Sequence, residues 1–222
     1  MLDVTTAKQA EDAGRPPAHP YHHGDLRNAL VHAAVDLARE GGPAAIVLRA
    51  AARRAGVSPT AAYRYFDSLP DLAGAVAQVA MASMARTMEA ELARCTPTGD
   101  PARDALNNLR AVGRGYVRFA LEDPGLFSTA NTCPEGLEST ASGVGDRGLS
   151  PAELLQQGLA GLLAVGLLDP ADVSAAATAA WASVHGLSTL LLGPMSDVPA
   201  DERQDLIDAC LNIVGRGITA PG

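Results

Sequence analysis

The chain contains 222 residues, 47% of them hydrophobic and 19% charged, which indicates a globular protein of one or two domains and excludes a disordered chain. With 17 basic and 25 acidic residues the net charge is −8, and this sum argues against a nucleic-acid partner because DNA binds basic surfaces. The 3 cysteines form no C-x-x-C pair, which argues against a disulfide framework and against a zinc ribbon.

Two segments bear on localisation. Residues 1–20 are polar and lack the apolar core of a signal peptide, so we expect a flexible N-terminal arm. Residues 175–195 carry no charged side chain and match the length of a membrane span. However, this stretch is rich in alanine, contains polar residues and has no flanking lysine or arginine. We therefore expect a helix buried in the core or in a subunit interface, a cytoplasmic protein and no membrane partner.

Apolar residues at helical spacing and frequent helix-terminating residues predict an all-α fold of about nine helices, with almost no strand signal. Serine or aspartate followed by proline marks several helix starts, as at Ser58, Asp100 and Ser150. A segment rich in glycine and serine, residues 134–149, is predicted to be a mobile loop. Eight of the helices can be assigned bounds from the sequence, at about residues 25–41, 48–55, from 59 onward, 68–94, 101–122, 150–166, 169–192 and 199–214.

The second and third helices have the pattern of a helix-turn-helix. A short helix ends at Gly56, and Ser58 and Pro59 supply the N-cap and the first position of the next helix. Two short helices joined at such a turn suit DNA because the second one fits the major groove. Ala62 and Phe66 are expected to face the core, which leaves one group of side chains to project outward: Thr60, Ala61, Tyr63 and Arg64.

The distribution of charge supports this interpretation. Residues 41–66 contain four arginines, at positions 49, 53, 54 and 64, and no acidic residue. Residues 1–66 have 8 basic and 6 acidic residues, a net charge of +2, whereas the remainder carries −10. The alternative is that these arginines are only the solvated face of a helical hairpin.

Several segments resemble the TetR-type transcriptional regulators. Residues 21–27, 53–58 and 62–68 are similar to the DNA-binding domain of that family, and the resemblance covers about residues 21–79. Residues 181–186, with the sequence Trp-Ala-Ser-Val-His-Gly, resemble a Trp-His-Gly motif in the C-terminal domain of one branch, and residues 123–127 resemble that branch's segment after the fifth helix.

The resemblance implies an all-helical homodimer with a DNA-binding domain at residues 21–68 and a ligand-binding and dimerisation domain at 69–222, although the family domain includes the fourth helix to about residue 83. It implies a ligand-responsive regulator, expected to be a repressor, that binds a pseudo-palindromic double-stranded DNA operator and is released by a small-molecule effector. Dimerisation is expected through the last two helices. The implied DNA-binding residues, on and beside the recognition helix, are Arg49, Arg53, Ser58, Pro59, Thr60, Ala61, Tyr63, Arg64 and Tyr65, with the two tyrosines on phosphates.

The sequence departs from the family at two positions. Val47 stands where members usually have a threonine or serine N-cap for the second helix, and Leu69 stands where they favour lysine at the start of the fourth. Neither side chain can make the expected phosphate contact, so both changes predict fewer contacts with the DNA backbone.

The remaining candidate residues concern a ligand. The candidate pocket residues are Tyr116, Phe119, Phe127, Trp181 and His185. Residue type favours a core position for Trp181 and a hydrogen-bonded position between helices for His185 over the pocket. Residues 143–148 match G-x-G-x-x-G, but without a preceding strand they predict a loop and no dinucleotide site. No catalytic constellation, cofactor or metal site is predicted, the pair His22-His23 included. The rival interpretations are an all-α small-molecule or haem-binding protein that uses His185, and a helical enzyme without a recognisable motif.

Overall fold

The computed structural model describes residues 23–132 and 143–219. Outside these residues lie the predicted N-terminal arm, His22 of the His22-His23 pair, and residues 134–142 of the predicted loop. The described residues form nine α-helices and no strand, which confirms the all-α fold. The helices are α1 (His23–Gly41), α2 (Leu48–Arg54), α3 (Pro59–Ala62), α4 (Leu69–Ala93), α5 (Pro101–Glu122), α6 (Pro124–Thr132), α7 (Pro151–Ala164), α8 (Val173–Leu192) and α9 (Ala200–Ile218).

The helix starts follow the capping residues in the sequence. The Ser68 amide donates to Asp71 Oδ2 at 3.0 Å while the Asp71 amide donates to Ser68 Oγ at 3.3 Å, a reciprocal capping box at the start of α4. Ser150 and Glu153 form the same arrangement before α7. Asp100 Oδ1 accepts from the Ala102 and Arg103 amides at the start of α5. Each cap satisfies backbone donors that a helix N-terminus leaves unpaired.

Helix α6 is an element that the sequence pattern did not predict. The residues that end α5 also begin α6, because Asp123 Oδ1 accepts a hydrogen bond of 3.4 Å from the Leu126 amide and Pro124 occupies the first helical position. Leu126 and Phe127 are buried on its inner side. The aspartate–proline pair thus marks a tight junction between two helices.

The core is continuous through most of the molecule. In the N-terminal part, Leu30, Ile46 and Phe66 are buried between α1, α2 and α3 and meet Leu72 of α4. Helix α4 continues from there into the second half, where it packs along α5. Gly115 of α5 lies so close to α4 that a Cβ atom there would overlap the Met88 backbone. A single long helix therefore belongs to both parts of the core.

Helix α8 is not buried all round within a single chain, so of the two settings predicted for residues 175–195 the core does not apply, while burial in a subunit interface stays a prediction. Within one chain only a third of its most apolar window is buried, and Trp181 and Leu190 are 50% and 45% exposed. One side packs on α5 and α9, while the alanine-rich side faces outward. By length and composition Pro170–Leu192 is the one helix among the described residues that could span a membrane, and a single such helix is weak support for a membrane protein.

Candidate DNA-binding face and ligand cavity

The turn between α2 and α3 has the geometry that the sequence predicts. Gly56 has a φ of 73°, in the left-handed region that glycine adopts without strain. The Val57 amide donates to the Ala52 carbonyl at 2.9 Å, which closes the turn. Ser58 Oγ accepts a hydrogen bond of 3.2 Å from the Ala61 amide and caps α3. These contacts fix the angle at which α3 leaves α2.

Helix α3 is shorter than a typical recognition helix. Its α-helical part ends at Ala62, and the Arg64 and Tyr65 amides donate to carbonyls three residues back, at 3.2 and 3.0 Å. The chain tightens there because Ala62 and Phe66, 0% and 2% exposed, are both drawn into the core as predicted.

The outward side of this unit carries the predicted DNA-binding residues. Arg49, Arg53 and Arg64 are exposed and form no ion pair with any described residue, and Tyr63 is 50% exposed. Ser58, Pro59 and Thr60 are also exposed, whereas Ala61 and Tyr65 are half-buried against the core. The helix-turn-helix therefore presents cationic and aromatic side chains to solvent on a rigid support.

Arg54 is the exception among the four arginines. Its Nη2 donates to both carboxylate oxygens of Glu40 at 2.9 Å, and this hydrogen bond raises the pKa of the guanidinium. Glu40 lies one residue before the acid-free stretch 41–66 and was therefore not included in its charge of +4. In the structure this carboxylate neutralises Arg54, one of the four arginines. Arg27 of α1 lies over the Phe66 ring at 5.0 Å from its centroid.

The two departures from the family pattern occupy the positions expected of them. Val47 is the N-cap residue of α2, with φ −131° and ψ 124°, and its side chain makes no capping hydrogen bond. Leu69 is the first residue of α4. Both are exposed, at 45% and 46%. Two apolar side chains therefore border the face where polar ones could contact a phosphate.

A cavity of about 350 Å³ lies in the second half of the molecule, a size typical of small-molecule sites. It is lined by residues of α4, α5, α7, α8 and α9 and by Asn131 of α6. Of the predicted pocket residues, Tyr116 and Trp181 line it, whereas Phe119, Phe127 and His185 are not part of its described lining. Its walls are mostly apolar and include Met81, Met84, Met88, Leu109, Val112, Leu155, Val184 and Leu211.

Behind the Tyr116 wall, three of the predicted residues form an aromatic cluster. The Tyr116 hydroxyl and His185 Nδ1 share a hydrogen bond of 3.0 Å, whose direction depends on the imidazole tautomer. The Phe127 ring lies 5.7 Å from the rings of both, edge-on to Tyr116. Burial raises the pKa of the Tyr116 hydroxyl. His185 is thus a hydrogen-bonded residue between helices, and Trp181, half exposed, is not a core residue.

Two kinds of lining residue were not predicted from the sequence. The α4 methionines at positions 81, 84 and 88 repeat at helical spacing, a signal that could have identified an apolar wall. Arg110 of α5 also lines the cavity. Nothing in the sequence around Arg110 distinguishes it from a surface arginine.

Helix α4 connects the cavity to the helix-turn-helix, and two contacts tie other elements to this connection. Glu89 is 8% exposed and its carboxylate accepts from the Asp146 and Arg147 amides at 2.8 and 3.1 Å. A Cβ at Gly143 would overlap the α4 backbone at Gln78. Residues 143–149 are therefore held against α4, where the sequence predicted a mobile loop, because the glycines allow the backbone to approach.

The junction of α6 with α1 is a second connection between the two halves. Arg39 Nε donates to Asp123 Oδ2 at 2.9 Å. A Cβ at Gly125 would overlap the Ala38 carbonyl oxygen, so only glycine allows this approach. A displacement of α6 would consequently move α1.

Among the described residues, no group of three or more histidine, cysteine, aspartate or glutamate side chains is placed to hold a metal ion. The features assembled above define a class: an all-helical protein with an exposed helix-turn-helix at one end and a ligand-sized cavity in a second helical part. Two family models match it. "Bacterial regulatory proteins, tetR family" matches residues 30–76, and "Tetracyclin repressor-like, C-terminal domain" matches residues 109–213. The chain belongs to the TetR family, a family of DNA-binding transcriptional regulators.

Solved structures share the fold. A Rhodococcus sp. RHA1 protein with unknown function is 26% identical with a TM-score of 0.70, covering 91% of this chain and 100% of its own. A TetR family transcription regulator from Marinobacter aquaeolei VT8 is 19% identical with a TM-score of 0.60, covering 88% and 96%. The multidrug binding protein EbrR, complexed with imidazole, is 20% identical with a TM-score of 0.53, covering 88% and 96%. No curated protein matches the chain.

Proposed function

We propose that the protein is a ligand-responsive transcriptional repressor that binds a pseudo-palindromic DNA operator as a homodimer and is released by a small molecule. The observation that carries this proposal is the exposed helix-turn-helix, whose Arg49, Arg53 and Arg64 lack ion pairs with described residues although the whole chain is acidic. A surface that keeps three cations unpaired in an acidic protein is suited to a polyanion.

Each residue has a role in this proposal. Thr60, Ala61 and Arg64 would enter the major groove, where Arg64 could donate to guanine O6 and N7. Tyr63 and Tyr65 would donate to phosphates. Arg49 and Arg53 of α2, with Ser58 and Pro59 at the start of α3, would position the unit on the backbone without specifying sequence.

Dimerisation through α8 and α9 is part of the proposal. Both helices expose large apolar side chains in the single chain: Trp181, Leu190 and Leu192 on α8 and Ile213 on α9, which is 61% exposed. An exposed apolar surface of this kind is typical of a protein interface. Burial against a second copy would also explain an uncharged α8 in a cytoplasmic protein.

The ligand would act through α4. A molecule in the cavity contacts Met81, Met84 and Met88, so a change in the tilt of α4 would alter the position of the helix-turn-helix attached to its first turn. The Glu89 contact and the Arg39–Asp123 pair would transmit the same displacement. Release requires that the ligand bind the displaced conformation more tightly, by about 1–3 kcal/mol in typical allosteric systems.

Binding to the DNA upstream of the protein's own coding sequence tests the proposal. Tyr63→Ala with Arg64→Ala is expected to abolish a specific mobility shift, since it removes a phosphate contact and a base contact while leaving the buried Ala62 and Phe66 intact. Arg103→Ala, which removes an exposed arginine from α5, is the matched control and should bind as the wild type does. Equal binding by all three proteins, with unchanged circular dichroism, would contradict the proposal, and a Soret band in the purified protein would favour the haem alternative.

A further inference from the structure

We propose that the effector is an amphipathic anion, with an apolar body in the cavity and a carboxylate or similar acidic head on Arg110. This inference rests on the proposed function, because it identifies the chemical class of molecule that the cavity takes as an effector.

The lining of the cavity has one sign of charge. Among the described residues that line it, Arg110 is charged, and the others are apolar or neutral polar side chains such as Asn131, Gln156 and Thr178. No described aspartate or glutamate faces the cavity. An apolar space with a single cation is complementary to a molecule with an apolar body and a single negative charge.

Arg110 has hydrogen-bonding capacity that the described residues do not use. Its Nε is buried without a hydrogen-bond partner among them, and Nη1 makes one bond of 3.3 Å, to Asn107 Oδ1. A buried unsatisfied donor of a charged group is costly. Glycine at position 215 leaves room beside the guanidinium, because a Cβ there would come within 3.6 Å of Nε. Nη2 makes no hydrogen bond with a described residue either, and an acidic head group would supply an acceptor for it.

The surroundings of Arg110 favour an anion further. Burial, followed by the nearby charges of Arg114 and Arg216, lowers the pKa of Arg110. Asp208, an acid close to this arginine cluster, is already engaged, since Arg114 Nη2 and Nε donate to its Oδ1 at 2.7 and 3.0 Å. Arg114 therefore has a carboxylate partner, whereas neither Arg110 nor Arg216 forms an ion pair with a described residue, and a bound anion would relieve the repulsion among the three.

The competing occupant is an acidic side chain from a second subunit. The cavity is partly enclosed by α8 and α9, the helices proposed for the dimer interface. In that case Arg110 would contribute to dimerisation and would not select among small molecules. The two assignments give different results in a binding experiment.

Decanoate and decanol are suitable probes, since they share an apolar tail and differ in the charge of the head. Trp181 reports binding, because it lines the cavity and is the only tryptophan of the chain. The dimeric wild type is expected to bind decanoate about tenfold to a hundredfold more tightly than decanol, as a hydrogen bond to a charged group contributes. Equal affinities, a preference for decanol, or no binding of either probe would overturn the proposal without recourse to any variant.

Substitution of Arg110 tests whether this residue causes the preference for decanoate over decanol. Arg110→Met keeps the length and apolar stem of the side chain and is expected to bind both probes equally, whereas Arg110→Lys keeps the charge and should retain part of the preference. Arg103→Met, an exposed site two turns earlier on α5, is the matched control and should select decanoate as the wild type does. A preference that survives in Arg110→Met, or a loss of dimer in that variant with selectivity unchanged, would overturn the assignment.

The experiment contains no DNA, so its failure is separable from failure of the proposed function. A protein that binds its operator but shows no preference for decanoate refutes this inference alone. A protein that selects decanoate through Arg110 but binds no operator refutes the proposed function alone.

Discussion

At the scale of single residues, Val47 is expected to weaken the proposed DNA interface without changing the fold. It sits in the extended conformation of an N-cap residue but offers no acceptor to the amides of α2. Leu69, at the first position of α4, likewise offers no charge to a phosphate. Both positions are exposed, so each can be tested by substitution without disturbing the core.

Restoring the polar residues is expected to strengthen DNA binding. Val47→Thr should stabilise the protein by about 0.5–2 kcal/mol through the new cap. Leu69→Lys should steepen the dependence of log affinity on log salt by about one unit, because one more phosphate is neutralised. Urea denaturation measures the effect of Val47→Thr on stability, and fluorescence anisotropy of labelled DNA across a salt series measures the effect of Leu69→Lys on the slope. The control is Ala160→Lys, at an exposed position of α7 outside the proposed DNA-binding and dimer faces, which should leave the slope unchanged. A slope in Leu69→Lys equal to that of the wild type would show that the start of α4 does not approach the DNA.

The capping box of α7 makes the free energy of unfolding depend on pH. Hydrogen bonds from the Ser150 amide and hydroxyl, both 2.7 Å, lower the pKa of the Glu153 carboxyl from its usual value of 4.5. The stabilisation is therefore complete above the unfolded pKa and is lost as the pH falls through the lower, folded value. Glu153→Gln should flatten the acid limb of the unfolding free energy, measured by urea denaturation, relative to the wild type. Glu202→Gln on α9 is the control; an acid limb identical in Glu153→Gln and wild type would contradict the cap.

At the scale of elements, capping signals predicted the starts of α3, α4, α5 and α7, because those signals are local. The start of α6 was missed, since the Asp123–Pro124 pair that ends one helix also begins the next. The short α3 was not foreseen either, because burial of Phe66 tightens its last turn. Within the candidate site, the exposed arginines followed from helix periodicity, but the Arg54–Glu40 pair and the position of Arg110 depend on tertiary packing.

The contact between α4 and α5 is expected to tolerate no added volume at Gly115. Gly115→Ala places a Cβ into the Met88 backbone and should lower the unfolding free energy by about 1–3 kcal/mol, as overpacked cores do. Gly217→Ala on α9, where no atom lies within 4 Å of the added Cβ, is the matched control and should be neutral or mildly stabilising. Thermal unfolding compares the two. Equal melting temperatures for the two variants would show that the helices are further apart than described.

At the scale of the whole molecule, the net charge of −8 conceals two halves of opposite character. The residues up to Phe66 carry +2 and the remainder −10, so the sum describes mainly the part that holds the cavity. The acidic part would repel DNA and limit non-specific binding, which leaves the small basic face dependent on a correctly spaced second copy. Dimerisation is therefore central to the proposed mechanism.

A charge placed on the exposed apolar surface of α8 and α9 should disrupt the proposed dimer. Ile213→Glu is expected to convert a species of twice the 22.7 kDa chain mass into a monomer, because the carboxylate would be buried in an apolar interface. Ala160→Glu, at an exposed position on α7, is the control and should remain dimeric. Light scattering coupled to size exclusion measures the mass. A dimeric Ile213→Glu variant would place the interface elsewhere.

Footprinting on the DNA upstream of the protein's own coding sequence tests whether two copies of this helix-turn-helix bind one operator. We expect protection of an inverted repeat whose half-site centres are about one helical turn apart, roughly 34–36 Å, or a multiple of that distance. The protection should disappear when Tyr63 and Arg64 are both replaced by alanine and persist in Arg103→Ala. If the double variant Tyr63→Ala, Arg64→Ala gives the same footprint as the wild type, operator binding through this helix-turn-helix is contradicted.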